Sequence, residues 1–469
     1  MTHALPQIIQ GGMGVAVSNW RLANAVSRAG QLGVVSGTGM DTVLVRRLQD
    51  GDPGGHMRRA MERFPIPAVA EEVLRRYFAP NGRPGGVAYK LLPMYKQVVS
   101  AARQRVTVLA NFVEVTLAKE GHDGQVGINL LTKVQMPNMA SLYGAMLAGA
   151  NVVLMGAGIP REIPGVLDAL ADHRPATLRF DVEGLGRDEV EYLRFDPMEL
   201  WSTQPAPPAL ERPRFIAIVA AASLAATLAR KSNGRVDGFV VEGPTAGGHN
   251  APPRGELRLN DHGEPVYGDR DVVDLTKLRD LALPFWLAGG VGSPEGRSAA
   301  LDAGAAGIQV GTLFAYCDES GLAPNVKRRV LDAVVAGNAT IRTDPRASPT
   351  GYPFKVVELA GEPERADRMR ICDIGYLRTP ARMADGKLVY RCPAEPVDAY
   401  VAKGGAAEEA VGRRCLCNGL MADVGHAQTR ATGEEPPLVT SGDDLLHIPR
   451  FLGDRRSYSA RDVIDYLLS

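Results

Sequence analysis

Short apolar runs recur along the chain, and each is followed by glycine and then by a stretch with helical spacing of its apolar residues. An apolar run of this kind is typical of a strand buried on both faces of a parallel sheet. The repeated order of strand, loop and helix predicts an α/β fold, a TIM (β/α)8 barrel. The predicted barrel strands are QIIQGG (7–12), LGVVSG (32–37), VGINLL (126–131), NVVLMGAG (151–158), FIAIVAA (215–221), GFVVEG (238–243), FWLAGGV (285–291) and GIQVGTLF (307–314).

One further pair of runs has a different pattern. TLRFDV (177–182) and EYLRFD (191–196) alternate polar and apolar residues. Such alternation is typical of a strand with one exposed face. We therefore predict that these two runs form an inserted hairpin outside the barrel.

Two segments depart from the strand–helix repeat. Residues 40–122 carry several helical patterns, which predicts a helical insertion after the second strand. Beyond residue 345 the repeat stops, and the remaining residues contain four of the five cysteines. The predicted domains are a TIM barrel over 1–39 and 123–345, a helical insertion over 40–122, and a cysteine-containing C-terminal extension over 346–469.

Composition narrows the range of partners. Lys and Arg together number 53, as do Asp and Glu, so the chain lacks the basic excess that nucleic acids and anionic membranes select. No signal-peptide pattern and no apolar window of about 18 residues is found, so no membrane association is expected. Five cysteines in a long chain favour a cytoplasmic location over a secreted disulfide scaffold. The expected partner is a small-molecule substrate, and homodimer formation stays open.

Glycine-rich stretches follow three of the predicted strands, at the end of a barrel where active sites form. They are QGGMG (10–14), AGGVGSPEG (288–296) and QVGTLF (309–314). Backbone N–H groups of such loops, beside a helix N-terminus, can bind a phosphate without lysine. No strand is followed by G-x-G-x-x-G with an acidic residue about twenty positions later, which disfavours a dinucleotide-binding Rossmann fold.

A series of motifs, taken in order, resembles the nitronate monooxygenase family, formerly called 2-nitropropane dioxygenase. The motifs are QGGMG, LANAVSRAGQLG, GINLL, GAGIP, EGPTAGGH, AGGVGSPEG and VGTLF, and they cover most of residues 7–316. This family is close to the FMN-containing enoyl-[acyl carrier protein] reductases. The resemblance implies a TIM barrel that binds FMN through Gly12, Met13, Gly14, Asn129, Gly247, Gly248, Gly289, Gly290, Gly292, Gly311 and Thr312.

Three features depart from the family pattern. AGGH continues as NAPPRG where the family has glycine or a short polar residue, and IIQGGM at the first strand is more typical of the enoyl reductases. The C-terminal extension lies outside the common core. These departures leave the substrate open between a nitronate and an enoyl thioester.

His249 is the predicted catalytic residue. It matches the active-site histidine of AGGH and lies in a glycine-backed loop after the sixth predicted strand. A neutral imidazole can accept a proton from an acidic carbon, and an imidazolium can stabilise an anion. Lys133, which follows the third strand, would lie on the same rim and could attract an anionic substrate.

The four C-terminal cysteines are unusually concentrated. Cys372, Cys392, Cys415 and Cys417 are separated by 19, 22 and one residue. This spacing is neither that of a zinc ribbon nor that of a ferredoxin run, and buried cysteine commonly serves as a small apolar residue. Their concentration makes a metal site, either an iron–sulfur cluster or zinc, the alternative to this structural role.

The leading hypothesis is an FMN-dependent oxidoreductase of nitronate monooxygenase type. By the resemblance, it would oxidise a nitronate or nitroalkane with O2 to a carbonyl compound and nitrite. The first alternative is an enoyl-thioester reductase, such as an enoyl-[acyl carrier protein] reductase, that uses NAD(P)H through the same flavin. The second alternative is a flavin- or metal-binding scaffold within a biosynthetic assembly, although an intact AGGH motif favours an enzyme.

Overall fold

The computed structural model describes residues 5–201, 205, 207–359 and 368–469. Strands through residue 310 are β1 (Ile8–Gln10), β2 (Gly33–Ser36), β3 (Val126–Leu131), β4 (Val152–Gly156), β5 (Ala176–Phe180), β6 (Glu191–Phe195), β7 (Arg214–Val219), β8 (Gly238–Glu242), β9 (Phe285–Ala288) and β10 (Gly307–Val310). Those that follow are β11 (Ala339–Asp344), β12 (Phe354–Leu359), β13 (Thr379–Arg382), β14 (Leu388–Arg391), β15 (Thr429–Arg430) and β16 (Gly433–Glu434).

Eight of these strands form one sheet in the order β1–β10–β9–β8–β7–β4–β3–β2, and their pairings are parallel. The N–H of Gln10 donates to the carbonyl of Leu32 at 3.0 Å, and the N–H of Leu32 donates to the carbonyl of Ile8 at 3.1 Å. These two bonds join β1 to the residue before β2 and close the sheet into a barrel. The predicted TIM barrel and its eight strands are confirmed.

The predicted hairpin is also confirmed. β5 and β6 pair antiparallel and form a separate two-stranded sheet. Residues of β5 alternate between buried and exposed, as the polar–apolar alternation requires. The hairpin lies between β4 and β7 in the chain and is not part of the eight-stranded sheet.

The α-helices surround the barrel and continue into the C-terminal extension. They are α1 (Trp20–Arg28), α2 (Met40–Gln49), α3 (His56–Met61), α4 (Pro67–Tyr77), α5 (Ala101–Ala118), α6 (Asn138–Leu147), α7 (Ile163–Ala171), α8 (Ala222–Lys231), α9 (Leu275–Arg279), α10 (Pro294–Asp302), α11 (Thr312–Ala315), α12 (Pro324–Val335), α13 (Val397–Ala402), α14 (Leu416–Asp423), α15 (Ile448–Leu452) and α16 (Ala460–Leu468). In the described ranges, none of them is both long and apolar enough to span a bilayer.

Two apolar layers hold the barrel together. The inner layer is a small cluster inside the barrel, in which side chains such as Ile9, Leu154 and Trp286 are almost fully buried. The outer layer is a much larger cluster between the strands and the helices. Each strand therefore buries both faces, which explains why the barrel strands are continuous apolar runs in the sequence.

The segment 40–122 contains α2, α3, α4 and α5. Ser100 caps α5 by accepting a hydrogen bond from the N–H of Arg103 at 3.3 Å. α5 packs against α1 and α6 and is buried along most of its length, as expected for an outer helix of the barrel between β2 and β3. The remaining helices of the segment pack on this one.

Candidate active site

A cavity of about 260 Å³ opens at the carboxyl ends of the barrel strands, and three other cavities measure only about 10–20 Å³ each. In (β/α)8 enzymes the active site forms at this end of the barrel. On the barrel side the large cavity is lined by Gly11, Gly12, Met13, Gly14, Asn129, Glu242, Gly247, Gly248, His249, Gly289, Gln309, Gly311 and Thr312.

Most of the residues predicted to contact the flavin therefore meet around one cavity, although they come from five different strand ends. Gly290 and Gly292 are the exceptions, since neither lines the cavity. The N–H of Gly292 instead donates to a carboxylate oxygen of Asp444 at 3.2 Å. This donor, which was predicted for the cofactor, is already used within the protein.

The QGGMG loop is held in place by buried polar contacts. The Ser18 hydroxyl accepts from the N–H of Met13 at 2.8 Å and donates to the carbonyl of Gly11 at 2.7 Å. Asn129 Nδ2 donates to the carbonyl of Gly12 at 3.0 Å. A Cβ at Gly12 would lie 2.2 Å from the Cβ of Asn129, so only glycine allows the loop to approach β3 this closely.

His249 lies on the cavity wall and is fixed by contacts to the C-terminal extension. Its Nε2 lies 2.6 Å from the Ser348 hydroxyl, which in turn lies 2.8 Å from the hydroxyl of Thr350. Its ring packs edge-on against Phe354 with centroids 4.9 Å apart. The imidazole is thus oriented by Ser348 and Phe354, and both residues lie beyond the motif series, which ends at residue 316.

The protonation state of His249 follows from its surroundings. Burial and the nearby Lys133 ammonium lower the pKa of His249 to about 4. The imidazole is therefore neutral at pH 7, which favours the proton-accepting role over the alternative in which an imidazolium stabilises an anion.

Lys133 follows β3 and lies close enough to His249 for its charge to lower the pKa of the imidazole, although its side chain does not line the cavity. Its Nζ lies over the ring of Tyr352, 2.9 Å from the centroid, and 3.5 Å from the carbonyl oxygen of Thr350. Burial lowers the pKa of Lys133 to about 8. Within the described residues no carboxylate forms a salt bridge with Lys133, so its ammonium has no carboxylate partner there.

The C-terminal extension supplies the opposite wall of the cavity. Thr440 accepts a hydrogen bond from the N–H of Gly248 at 2.9 Å, and the N–H of Gly442 donates to the hydroxyl of Thr312 at 2.9 Å. The extension's cavity-lining residues are Phe354, Tyr376, Leu377, Leu416, Cys417, Leu420, Asp423, Thr440, Ser441, Gly442 and Asp444. Apart from Cys417, which was predicted as a metal ligand and not as a cavity residue, sequence reasoning missed these residues because they follow no strand–loop–helix repeat.

Two polar residues on the barrel side were also missed. Glu242 is the last residue of β8 and faces the cavity, and burial raises its pKa to about 7. Gln309 on β10 also lines the cavity, and its buried Oε1 has no hydrogen-bond partner among the described residues. Both lie inside motifs named in the sequence analysis. Because successive side chains of a strand point to opposite faces, their positions along β8 and β10 were the signal that could have identified them.

The four C-terminal cysteines lie together. Cys392 and Cys415 share a buried cluster with Ala394, and Cys417 packs against it. Burial and the nearby Cys415 thiol raise the pKa of Cys372 to about 12. In the part of the chain that the structure describes, no group of three or more His, Cys, Asp or Glu residues is positioned to hold a metal ion, and an iron–sulfur or zinc site stays a prediction.

The fold and the cavity define a TIM-barrel protein with a cavity of about 260 Å³ at the carboxyl end of its barrel. Residues 202–344 match the family model of nitronate monooxygenase. A nitronate monooxygenase of Pseudomonas aeruginosa is 32% identical over 163 residues, which are 34% of this chain and 38% of the relative. These matches confirm the resemblance to the nitronate monooxygenase family that the motifs indicated.

A second curated relative has a different name. The (3aS,4S,5R,7aS)-5-hydroxy-7a-methyl-1-oxo-octahydro-1H-indene-4-carboxyl-CoA dehydrogenase of Mycobacterium tuberculosis is 33% identical over 137 residues, 29% of this chain and 34% of the relative. The matched segment thus spans little more than a third of either curated relative. A solved nitroalkane oxidase from Streptomyces ansochromogenes superposes with a TM-score of 0.46 at 16% identity, covering 99% of this chain and 95% of the other.

Proposed function

We propose that this chain is an FMN-dependent oxidoreductase of nitronate monooxygenase type, which converts a nitronate or nitroalkane with O2 into a carbonyl compound and nitrite. The observation that carries the proposal is the single cavity at which the family's glycine motifs meet His249. The family match over residues 202–344 supports the class of reaction.

The residues around the cavity fit a phosphate-bearing flavin. Gly289 has φ +89° and Gly311 carries no side chain, so both loops can bring backbone N–H groups close to a phosphate, beside the hydroxyl of Thr312. The unpartnered Oε1 of Gln309 fits a cofactor that carries hydrogen-bond donors on its ring. FMN bound here would supply an electron acceptor that can react with O2.

The protein's own groups would orient the substrate and move a proton. In the tautomer whose Nε2–H donates to the Ser348 hydroxyl, Nδ1 of the neutral imidazole is the nitrogen that would accept a proton from the acidic carbon of a nitroalkane. The Lys133 ammonium would attract the nitro or nitronate oxygens to the same rim. Apolar residues from the C-terminal extension, such as Phe354 and Leu420, would exclude water from this end of the cavity.

A second candidate is the reduction of an enoyl thioester by NAD(P)H. This reaction needs a proton donor near the substrate's α-carbon, and a neutral His249 is a poor one. Glu242, whose pKa burial raises to about 7, could supply that proton from the cavity wall. The relative named as a CoA dehydrogenase is a further reason to test thioesters.

One experiment separates the two candidates. The purified protein is expected to carry noncovalent FMN, identified by its mass after denaturation, and to consume O2 and release nitrite when a nitronate is added. Anaerobic addition of NADPH with an enoyl thioester should leave the flavin spectrum unchanged over the same period. Bound FAD, or bleaching by NADPH followed by alkene reduction, would contradict the proposal.

The pH dependence of substrate binding tests the role of Lys133. Because the pKa of Lys133 is lowered to about 8, its charge is present below pH 8 and is lost as the pH rises through that value. We expect KM for a preformed nitronate to rise about tenfold between pH 7 and pH 9.5, equivalent to ~1.4 kcal/mol. Lys133→Met should show the higher KM at both pH values, and a wild-type KM that does not change with pH would exclude this role.

A further inference from the structure

One segment of the C-terminal extension, residues 440–443, packs directly against the ends of barrel strands β8 and β10. The N–H of Gly442 donates to the Thr312 hydroxyl at 2.9 Å, and the N–H of Asp443 donates to the carbonyl of Thr245 at 3.0 Å. A Cβ at Gly442 would lie 2.9 Å from each of these two oxygen atoms. Only glycine therefore allows the segment to approach the barrel this closely.

The same contacts bring the segment beside the two loops that are predicted to bind a phosphate. Thr312 belongs to one of these loops. Thr245 touches the other, because a Cβ at Gly289 would lie 3.0 Å from the Thr245 hydroxyl oxygen. Ser441 belongs to the segment and lines the same cavity as Gly289 and Thr312. A hydroxyl from the extension thus lies on the wall that carries the phosphate loops.

The Ser441 hydroxyl is a buried polar group without a hydrogen-bond partner. The residue is 4% exposed, and among the described residues no group bonds its Oγ with normal geometry. The buried hydroxyl of Tyr316 lies near it, since burial raises the pKa of Tyr316 and the Ser441 hydroxyl lowers it. A serine hydroxyl can accept from one group while it donates to another, so its proton remains available to a molecule in the cavity. Buried hydroxyls are normally bonded, which indicates an acceptor at this position.

The charges around the cavity make a hydroxyl donor important for an anion. Among the described residues that line the cavity, none is lysine or arginine. A phosphate bound there would be held by neutral N–H and O–H donors. The two acidic residues that follow Ser441 have donors of their own, since Asp443 pairs with Lys355 at 2.6 Å and Asp444 accepts from the N–H of Gly292 at 3.2 Å.

We propose that the Ser441 hydroxyl donates a hydrogen bond to the phosphate of the flavin, so that the C-terminal extension completes a phosphate site whose other donors come from the barrel. The inference rests on the proposed function for the presence of FMN. It adds to that site a residue beyond the motif series, which ends at residue 316. The extension thereby favours FMN over riboflavin, which has the same ring but lacks the phosphate.

Flavin binding tests this contact without an assay of turnover. The full chain, freed of flavin, is titrated with FMN and separately with riboflavin, and each Kd is measured from the change in flavin fluorescence. We expect Ser441→Ala to weaken FMN binding by about 10–100-fold, the loss that corresponds to a hydrogen bond to a charged group. The Kd for riboflavin should stay unchanged, because riboflavin offers no phosphate to this hydroxyl.

Ser320→Ala is the matched control. Ser320 is also buried but does not line the cavity, and its hydroxyl donates to the carbonyl of Ala315 at 2.5 Å. This variant should keep the wild-type Kd for both flavins. The phosphorus NMR resonance of bound FMN gives a second readout, and it should shift in Ser441→Ala and stay in place in Ser320→Ala.

The outcomes separate this inference from the proposed function. Equal weakening of FMN and riboflavin in Ser441→Ala, or no weakening of either, would overturn the phosphate contact alone. A protein that shows the expected discrimination but does not oxidise nitronates would contradict the proposed function and still support the contact. A wild-type chain that binds neither flavin would overturn both.

Discussion

His249→Asn is expected to keep its flavin and to lose turnover on a neutral nitroalkane by roughly 10²–10⁴-fold, the range typical of a lost general acid or base. The cofactor should stay bound because the predicted phosphate loops, at Gly289 and Gly311, lie on other strands. On a preformed nitronate the loss should be much smaller. Its carbon is already deprotonated, and an imidazole with a pKa of about 4 supplies no positive charge at pH 7.

The contrast between the two substrates is the decisive measurement, made as kcat/KM for each at pH 7 with the flavin content determined in parallel. Ser348→Ala is a matched control, since it removes the 2.6 Å contact to Nε2 and leaves the imidazole in place. We expect this variant to lose about tenfold on the nitroalkane, through orientation alone. Equal losses on both substrates would contradict proton abstraction, and loss of flavin from His249→Asn would make the residue part of the cofactor site.

The barrel was predictable because its signals are local. Each barrel strand is a continuous apolar run, and each glycine motif directly follows a strand, so strand order alone brings QGGMG, AGGH and VGTLF to one end. The hairpin at β5 and β6 was predictable for the same reason. Even the missed Glu242 lies within a quoted motif.

The other half of the cavity could not be predicted, because its contacts join residues far apart in the chain. Gly248 bonds Thr440, and Thr312 bonds Gly442, across 192 and 130 positions. Neither Thr440 nor Gly442 lies in a motif or a periodic pattern that would have identified it as a partner of the barrel loops. The hydrogen bond from the Gly292 N–H to Asp444 also joins residues far apart in the chain. Gly292 fits a phosphate loop by its spacing in the sequence, but it bonds Asp444 and does not line the cavity.

A buried polar network connects this C-terminal wall to the helices of 40–122. Asp41 on α2 accepts hydrogen bonds from the hydroxyls of Tyr95, at 2.5 Å, and of Tyr376, which lines the cavity. Arg103 on α5 forms a salt bridge with Asp41 at 2.9 Å, and both side chains are at most 3% exposed. The cavity wall at Tyr376 is thus positioned by a charge pair whose two members do not themselves line the cavity.

Replacing one member of the Asp41–Arg103 pair should lower the stability of the folded protein more than the other substitutions proposed for it. Arg103→Met leaves the Asp41 carboxylate buried without its counter-charge, and we expect the free energy of unfolding to fall by about 3–5 kcal/mol. Urea unfolding followed by far-UV circular dichroism measures this, with reversibility checked by dilution. Asp41→Asn combined with Arg103→Met should recover at least ~1 kcal/mol of the loss, because no charge is then left unpaired. Two results would show that the pair does not hold this wall in place. One is an Arg103→Met variant whose free energy of unfolding lies within ~0.5 kcal/mol of the wild type. The other is a double variant whose loss equals the sum of the losses of Arg103→Met and Asp41→Asn measured separately.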